Sequence, residues 1–186
     1  MYGMVNRAVR DMVLARFGTE AWDRIHTKAA APAEFEKMQG YDDGVTYRLV
    51  GAASEVLEIP PETVMRTFGV YWVTETAEKG YGPLLALWGS SFVAFLSNLD
   101  ALHVRVAETF TSLKPPSFEV VEEGEGALTV FYRSHRAGLA PFVGGLIEGV
   151  GQRFNTKVVV ELIRSRAVDG GDADVFRVGY SPEEER

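Results

Sequence analysis

No cysteine occurs among the 186 residues, so disulfide bridges, thiolate nucleophiles and cysteine-ligated metal centres are excluded. Long hydrophobic runs are missing too. Stretches such as Leu84–Trp88 fall far below the roughly 18 apolar residues a membrane-spanning helix requires. Arg7, Arg10, Asp11 and Arg16 interrupt the N-terminal segment, so it has no signal-peptide core, and a cytoplasmic location is expected. Basic charge is scarce: 19 Lys+Arg face 26 Asp+Glu, a formal net charge of −7. That balance argues against a general nucleic-acid binder, whose phosphate contacts need clustered cations. No phosphate-binding loop, dinucleotide fingerprint, nucleophile elbow or HExxH zinc motif occurs, so an enzyme is not expected. The remaining composition, 46% hydrophobic and 24% charged, is that of an ordinary globular chain. At this length about 70% of the unfolded surface can be buried.

Periodicity divides the chain into a helical half and a mixed half. Val5, Val9, Met12, Val13 and Phe17 recur at helical spacing, predicting a helix over Met4–Phe17 closed by Gly18. A second follows over Glu20–Ala30, closed before Pro32. Asp42 and Asp43 can cap a third, running to about Leu57. Pro61 opens a fourth, with Val64, Met65, Phe68 and Trp72 on one stripe, which Gly80 and Gly82 are expected to break. A long helix is expected from Ser90 to Phe110, stopping at Lys114-Pro115-Pro116.

Beyond those prolines the period shifts toward 2. Phe118–Val121 and Leu128–Arg133 read as a hairpin around Glu122–Gly126. Leu139–Phe154 returns to helical spacing. Lys157–Ile163 and Val175–Tyr180 then flank Asp169-Gly170-Gly171-Asp172, a second hairpin signal. The fold class is therefore α+β: a helical N-terminal subdomain, then a subdomain with a four-stranded antiparallel sheet. The polar tail Ser181–Arg186 reads as loose.

Few residues carry chemistry. Ser134 and His135 are adjacent, so on a strand they point to opposite faces, which speaks against a hydrolytic pair. The carboxylates Glu122 and Glu123 sit in a hairpin tip and read as a solvated turn. Glycines 144, 145, 149 and 151 fall within a helix, where each costs roughly 1 kcal/mol against alanine. They imply a close neighbour, either a second backbone or a flat ligand. Among the three histidines, His26 lies in a polar stretch and reads as a surface residue, while His135 sits between two arginines. His103 differs, because Phe92, Phe95, Leu96, Leu99, Val106 and Phe110 share its helix face. It is either a hydrogen-bonded core histidine or the axial ligand of a haem iron.

Tyr132, Ser134 and Arg136 project to one face if their strand stays extended. Two hydroxyls and a guanidinium fork match a pair of carboxylates; the plain alternative is a strand end with a polar outer face. An apolar-face histidine and a dicarboxylate clamp together describe a haem b site, with iron on one side and propionates on the other.

With these residues in view, the chain resembles the haem–nitric oxide/oxygen binding (H-NOX) family, which includes the haem domain of soluble guanylate cyclase. The resemblance covers essentially the whole chain, residues 1–186, as one haem domain. It runs through Met1-Tyr2-Gly3, Val5-Asn6, Asp43–Ala53, Phe68-Gly69 and Gly80-Tyr81-Gly82. It is strongest in Phe95–His103, in Pro115-Pro116-Ser117-Phe118, and in the Y-x-S-x-R motif 29 residues after His103.

The resemblance implies a helical N-terminal subdomain over 1–62 and a haem-enclosing subdomain over 63–186. It also implies a sensor rather than an enzyme. His103 would be the axial ligand of haem b, and Tyr132, Ser134 and Arg136 would hold the propionates. Pro116 matches a residue that presses on the porphyrin, and Trp72, Phe142 and Leu146 match distal positions. The gas would be nitric oxide, with carbon monoxide also bound. A chain ending at residue 186 is expected to be a stand-alone bacterial form with no membrane attachment. It would act on a separate protein such as a histidine kinase or a cyclic-di-GMP enzyme, signalling through release of the proximal histidine. An oxygen binder or carrier is the alternative, and a haem-free module for another small ligand the outsider.

Overall fold

Gly18 sets the shape of the first helical stretch. In the computed structural model, which describes residues 1–109 and 114–182, helix α1 runs over Gly3–Lys28. Gly18 interrupts it with φ 83° and ψ 179°, a conformation open to glycine and costly for other residues. The two predicted helices are thus joined across a kink. Asp42 caps α2 (Asp43–Leu57), its Oδ1 accepting a hydrogen bond from the Gly44 amide at 2.8 Å. Glu58, left-handed at φ 57°, ends that helix. Contacts group the chain into two units, Met1–Phe68 and Gly69–Arg186.

In the first unit α1 packs on α2, and Val9, Met12, Val13, Trp22, Ile25 and Leu49 are buried. The buried Thr46 hydroxyl donates to Asn6 Oδ1 at 2.6 Å, and Trp22 Nε1 donates to the Ala33 carbonyl at 3.2 Å. His26 departs from the surface expectation. Its ring is half-buried, tilted on Trp22 at 5.6 Å, with Nδ1 3.3 Å from the Ala31 carbonyl.

Helix α3 (Pro61–Tyr71) begins at the predicted proline. The predicted break at Gly80 and Gly82 is not observed. A π-helical segment over Trp72–Ala77 intervenes, and α4 (Glu78–Leu85) continues through both glycines to a 3-10 turn at Ala86–Trp88. Glycine lowers helix propensity without forbidding the helix, so composition misplaced the irregularity. The expected long helix is also divided. Helix α5 (Phe92–Ser97) stops at Asn98, whose Nδ2 donates to the Trp88 carbonyl at 2.9 Å. Helix α6 (Leu99–Thr109) then begins; the expected end at Phe110 lies outside the described residues.

The second unit is built on strands β1 (Ser117–Glu122), β2 (Ala127–Arg133), β3 (Thr156–Arg164) and β4 (Asp174–Pro182). They form one antiparallel sheet in the order β1-β2-β4-β3, bearing out the α+β fold class. Helix α7 (Ala140–Arg153) packs on β3 and on the π segment. The second hairpin is longer than a tight turn, because a one-turn helix, α8 (Arg166–Asp169), precedes Gly170 and Gly171. Strand β4 also takes in Ser181 and Pro182, the start of the tail read as loose. Phe95, Leu96, Leu128, Val130, Val143, Ile147, Phe176 and Val178 fill the core between helices and sheet. Two of the helix glycines have close backbone neighbours. A Cβ on Gly149 would lie 3.1 Å from the Val70 carbonyl oxygen, and one on Gly151 would lie 2.9 Å from the Thr156 carbonyl oxygen.

Candidate functional site

One row of side chains crosses the sheet. Phe118 of β1 pairs with Tyr132 of β2, which pairs in turn with Asp174 of β4. Directly paired residues project to the same face, and all three are buried. Helix α6 is fixed beside the start of this row. Asp100, in its first turn, accepts a hydrogen bond from the Phe118 amide at 3.0 Å. One turn later His103 stacks on Phe118, with ring centroids 5.5 Å apart and planes 11° from parallel. Phe118 leans on Tyr132 at 5.2 Å and 51°. Imidazole, benzyl and phenol rings therefore stand in sequence.

Burial pushes the His103 pKa below the ordinary histidine value, and the Leu99 carbonyl and the Asp100 carboxylate only partly offset it. Near pH 7 the ring is neutral, the form that ligates metals. Its Nδ1 is buried and, among the described residues, has no partner of hydrogen-bonding geometry, the Leu99 carbonyl notwithstanding. Pro116 is half-buried immediately before β1.

The polar motif is less regular than an extended strand. β2 ends at Arg133, so Ser134 and Arg136 lie on a loop. That corrects the expectation that period-2 alternation alone aligns the three residues. Instead, the Arg136 amide donates to Ser134 Oγ at 3.1 Å, folding the loop back on itself. Burial raises the Tyr132 hydroxyl pKa, while a hydrogen bond with Ser134 and the charges of Arg166 and Arg136 pull it down. Arg133 faces the other way and pairs with Asp172 at 2.8 Å and Glu119 at 3.0 Å. His135 is exposed.

Trp72 opens the π segment, and Phe142 and Leu146 stand one turn apart on α7, all half-buried. Trp72 and Leu146 pack against the same core as Phe118 and Tyr132. Backbone meets backbone at Gly69, where a Cβ would lie 2.2 Å from the Phe142 carbonyl oxygen.

A single neutral imidazole, a phenol, a hydroxyl and a guanidinium, set beside an apolar core, fit a metal that arrives already chelated by an apolar, dicarboxylate macrocycle. The family model for haem-NO-binding proteins matches residues 2–162. The chain belongs to the haem-NO-binding family. That family is a haem-binding sensor module for gases rather than a catalytic one. Soluble guanylate cyclase gcy-35 of Caenorhabditis elegans is 31% identical over 94% of this chain and 26% of its own length. Guanylate cyclase soluble subunit beta-2 of Rattus norvegicus is 35% identical over 55% of this chain and 15% of its own. This chain thus spans about a quarter or less of those curated relatives.

The haem-NO-binding fold is shared with solved structures. An H-NOX protein from S. oneidensis superposes with a TM-score of 0.88 at 19% identity, covering 100% of this chain and 98% of that one. Unliganded H-NOX from K. algicida gives 0.81 at 22% identity, covering 100% of both chains. Among the described residues, no helix is long and apolar enough to cross a membrane.

Two residues of this neighbourhood escaped the sequence. Arg166, on the one-turn helix, sends its guanidinium to the Ser134 and Arg136 carbonyl oxygens, and its amide donates to Asp174 Oδ1 at 2.9 Å. An arginine inside a Gly-Asp-rich turn carries no periodic signal. Asp174 carries none either, because its burial comes from the fold and not from its neighbours in sequence.

Proposed function

We propose that this chain is a haem b sensor of nitric oxide that regulates a separate signalling protein, working in the cytoplasm. The His103–Phe118–Tyr132 row carries the reading: an imidazole kept neutral by burial, in line with a buried phenol whose neighbours are a serine and an arginine. His103 would hold the iron. Tyr132, Ser134 and Arg136 would bind the propionates, and Pro116 would press on the porphyrin edge. Haem b would supply a ferrous iron able to bind NO or carbon monoxide, and His103 would be the protein group whose hold on that iron changes.

With His103 released, α6 would keep its protein contacts, among them the Asp100–Phe118 hydrogen bond and the stack on Phe118. Two arrangements of α6, tethered and free, give a partner something to distinguish. That partner is a histidine kinase or a cyclic-di-GMP enzyme in this reading. Phe142 on α7 offers no hydrogen-bond donor, which favours NO over oxygen, because bound oxygen gains most from a nearby donor.

Absorption spectra of the ferrous protein, alone and under NO, carbon monoxide and air, test this reading. A five-coordinate NO complex with no persistent oxygen complex is expected. A lasting oxygen spectrum in air would turn the assignment to an oxygen binder, with the Trp72 indole as the candidate donor. A colourless protein after expression with ample haem would overturn it altogether.

A further inference from the structure

Strand β2 stops at Arg133, so the carbonyls of Ser134 and Arg136 have no strand to bond to. Backbone acceptors of this kind need another donor or water. Arg166 supplies it, one guanidinium nitrogen on each carbonyl. Arg166 is held in turn by Asp174, which accepts its amide at 2.9 Å and faces its Nε at 3.9 Å. The Arg166 side chain is 19% exposed and that of Asp174 only 5%, so the pair is shielded from solvent. Asp174 also lies directly across from Tyr132 in the sheet register. The strut thus joins both ends of the Y-x-S-x-R segment, Tyr132 through the sheet and Ser134 with Arg136 through their carbonyls.

We propose that Arg166, seated by Asp174, is a positioning residue that fixes the Ser134–Arg136 loop in the shape needed to grip a dicarboxylate. The proposal rests on the propionate reading above. Each terminal nitrogen of Arg166 gives a hydrogen bond to a backbone carbonyl of the loop, so it acts on the clamp through the loop. Its charge adds to that of Arg136 beside the clamp, and the Asp174 carboxylate offsets one of the two. A flexible loop would have to be ordered at the moment of binding; a strut orders it beforehand.

The test is transfer of haem from the full-length holoprotein to excess apomyoglobin, followed by the Soret shift, with thermal melting of each variant alongside. Arg166→Met keeps the stem and removes every donor, and haem loss about tenfold faster is expected. Arg166→Lys, which restores a cationic donor, should recover part of that loss. Amide exchange at residue 136 should quicken in Arg166→Met, since its bond to Ser134 Oγ depends on the loop's shape. In the double variant Arg136→Ala/Arg166→Met the two effects should combine less than multiplicatively.

Faster loss from Arg136→Ala with an unchanged rate in Arg166→Met would overturn the strut and leave the propionate reading standing. An unchanged rate in Arg136→Ala would remove both. Should Arg166→Met fail to fold, Arg166→Lys and Asp174→Asn decide instead. Wild-type haem loss and exchange in both would overturn the proposal, and faster values in either would uphold it.

Discussion

Two walls of the second unit hold their residues by different means. The α6–β1–β2 wall is pinned by directional bonds: Asp100 to the Phe118 amide, Arg136 to Ser134 Oγ, and the guanidinium of Arg166 to two carbonyls. The wall of α3, the π segment and α7 is held by close approach, with Gly69 against the Phe142 carbonyl and Gly149 against Val70 and Val73. Polar bonds place a few atoms with precision, whereas backbone packing through glycine places a surface. A cofactor's fixed charges call for the first arrangement.

The largest break in this contrast is expected from His103→Ala. The protein should lose its haem during purification, or keep it only when free imidazole is supplied, as read from the Soret absorbance per mole of protein. A normal spectrum in that variant would remove His103 as the ligand. Next comes the clamp. Arg136→Ala should speed haem loss more than Ser134→Ala, since a charge-assisted bond is roughly twice as strong as a neutral one. Arg133→Ala and His135→Ala should leave the rate near wild type, because Arg133 is engaged with Glu119 and Asp172 and His135 is exposed. Equal rates across all four would erase the distinction between the clamp residues and their sequence neighbours.

The packed wall should respond in stability instead. Gly69→Ala drives a methyl into the Phe142 carbonyl and should cost about 1–3 kcal/mol in chemical denaturation. Gly80→Ala, in α4 with open space around it, should be neutral or stabilising by up to roughly 1 kcal/mol. Similar losses in both would mean that close packing is not what Gly69 provides. The smallest effect is expected from Phe142→Tyr, which adds a donor to α7 without adding bulk to its backbone contact. A modest gain in oxygen affinity of the ferrous protein should follow, and none at all would count against a gas-facing position for residue 142.

Much of the directional wall was legible because its signals are local. His103 sits among apolar residues on one helix, and the Y-x-S-x-R spacing takes only five consecutive residues. Helix periodicity also located α2 and α7 to within a residue or two. What escaped depends on partners distant in sequence. The stop at Asn98 is tied to the Trp88 carbonyl, and the strut at Arg166 reaches carbonyls 30 and 32 residues earlier. Gly80 and Gly82 looked like breaks because propensity penalises glycine, yet the helix deforms earlier, at Trp72. His26 looked solvated from its polar neighbours in sequence, while Trp22, four residues back, shelters it.

The π segment at Trp72–Ala77 also sets how this chain can tolerate insertion and deletion. A π turn holds one residue more than the α-helical repeat requires, so it stores a single-residue insertion within an otherwise regular rod. Deleting one residue there, Thr74 for example, would let α3 and α4 fuse into one α-helix. The flanking residues would keep their faces, because the π turn had already absorbed the extra residue. Gly69 would stay against the α7 backbone, and only Trp72 and its neighbours within the segment would change the face they present. The same deletion within α7 would scramble every contact after it. The π segment is therefore the place where a length change of one residue could re-aim a side chain while leaving a continuous helix behind.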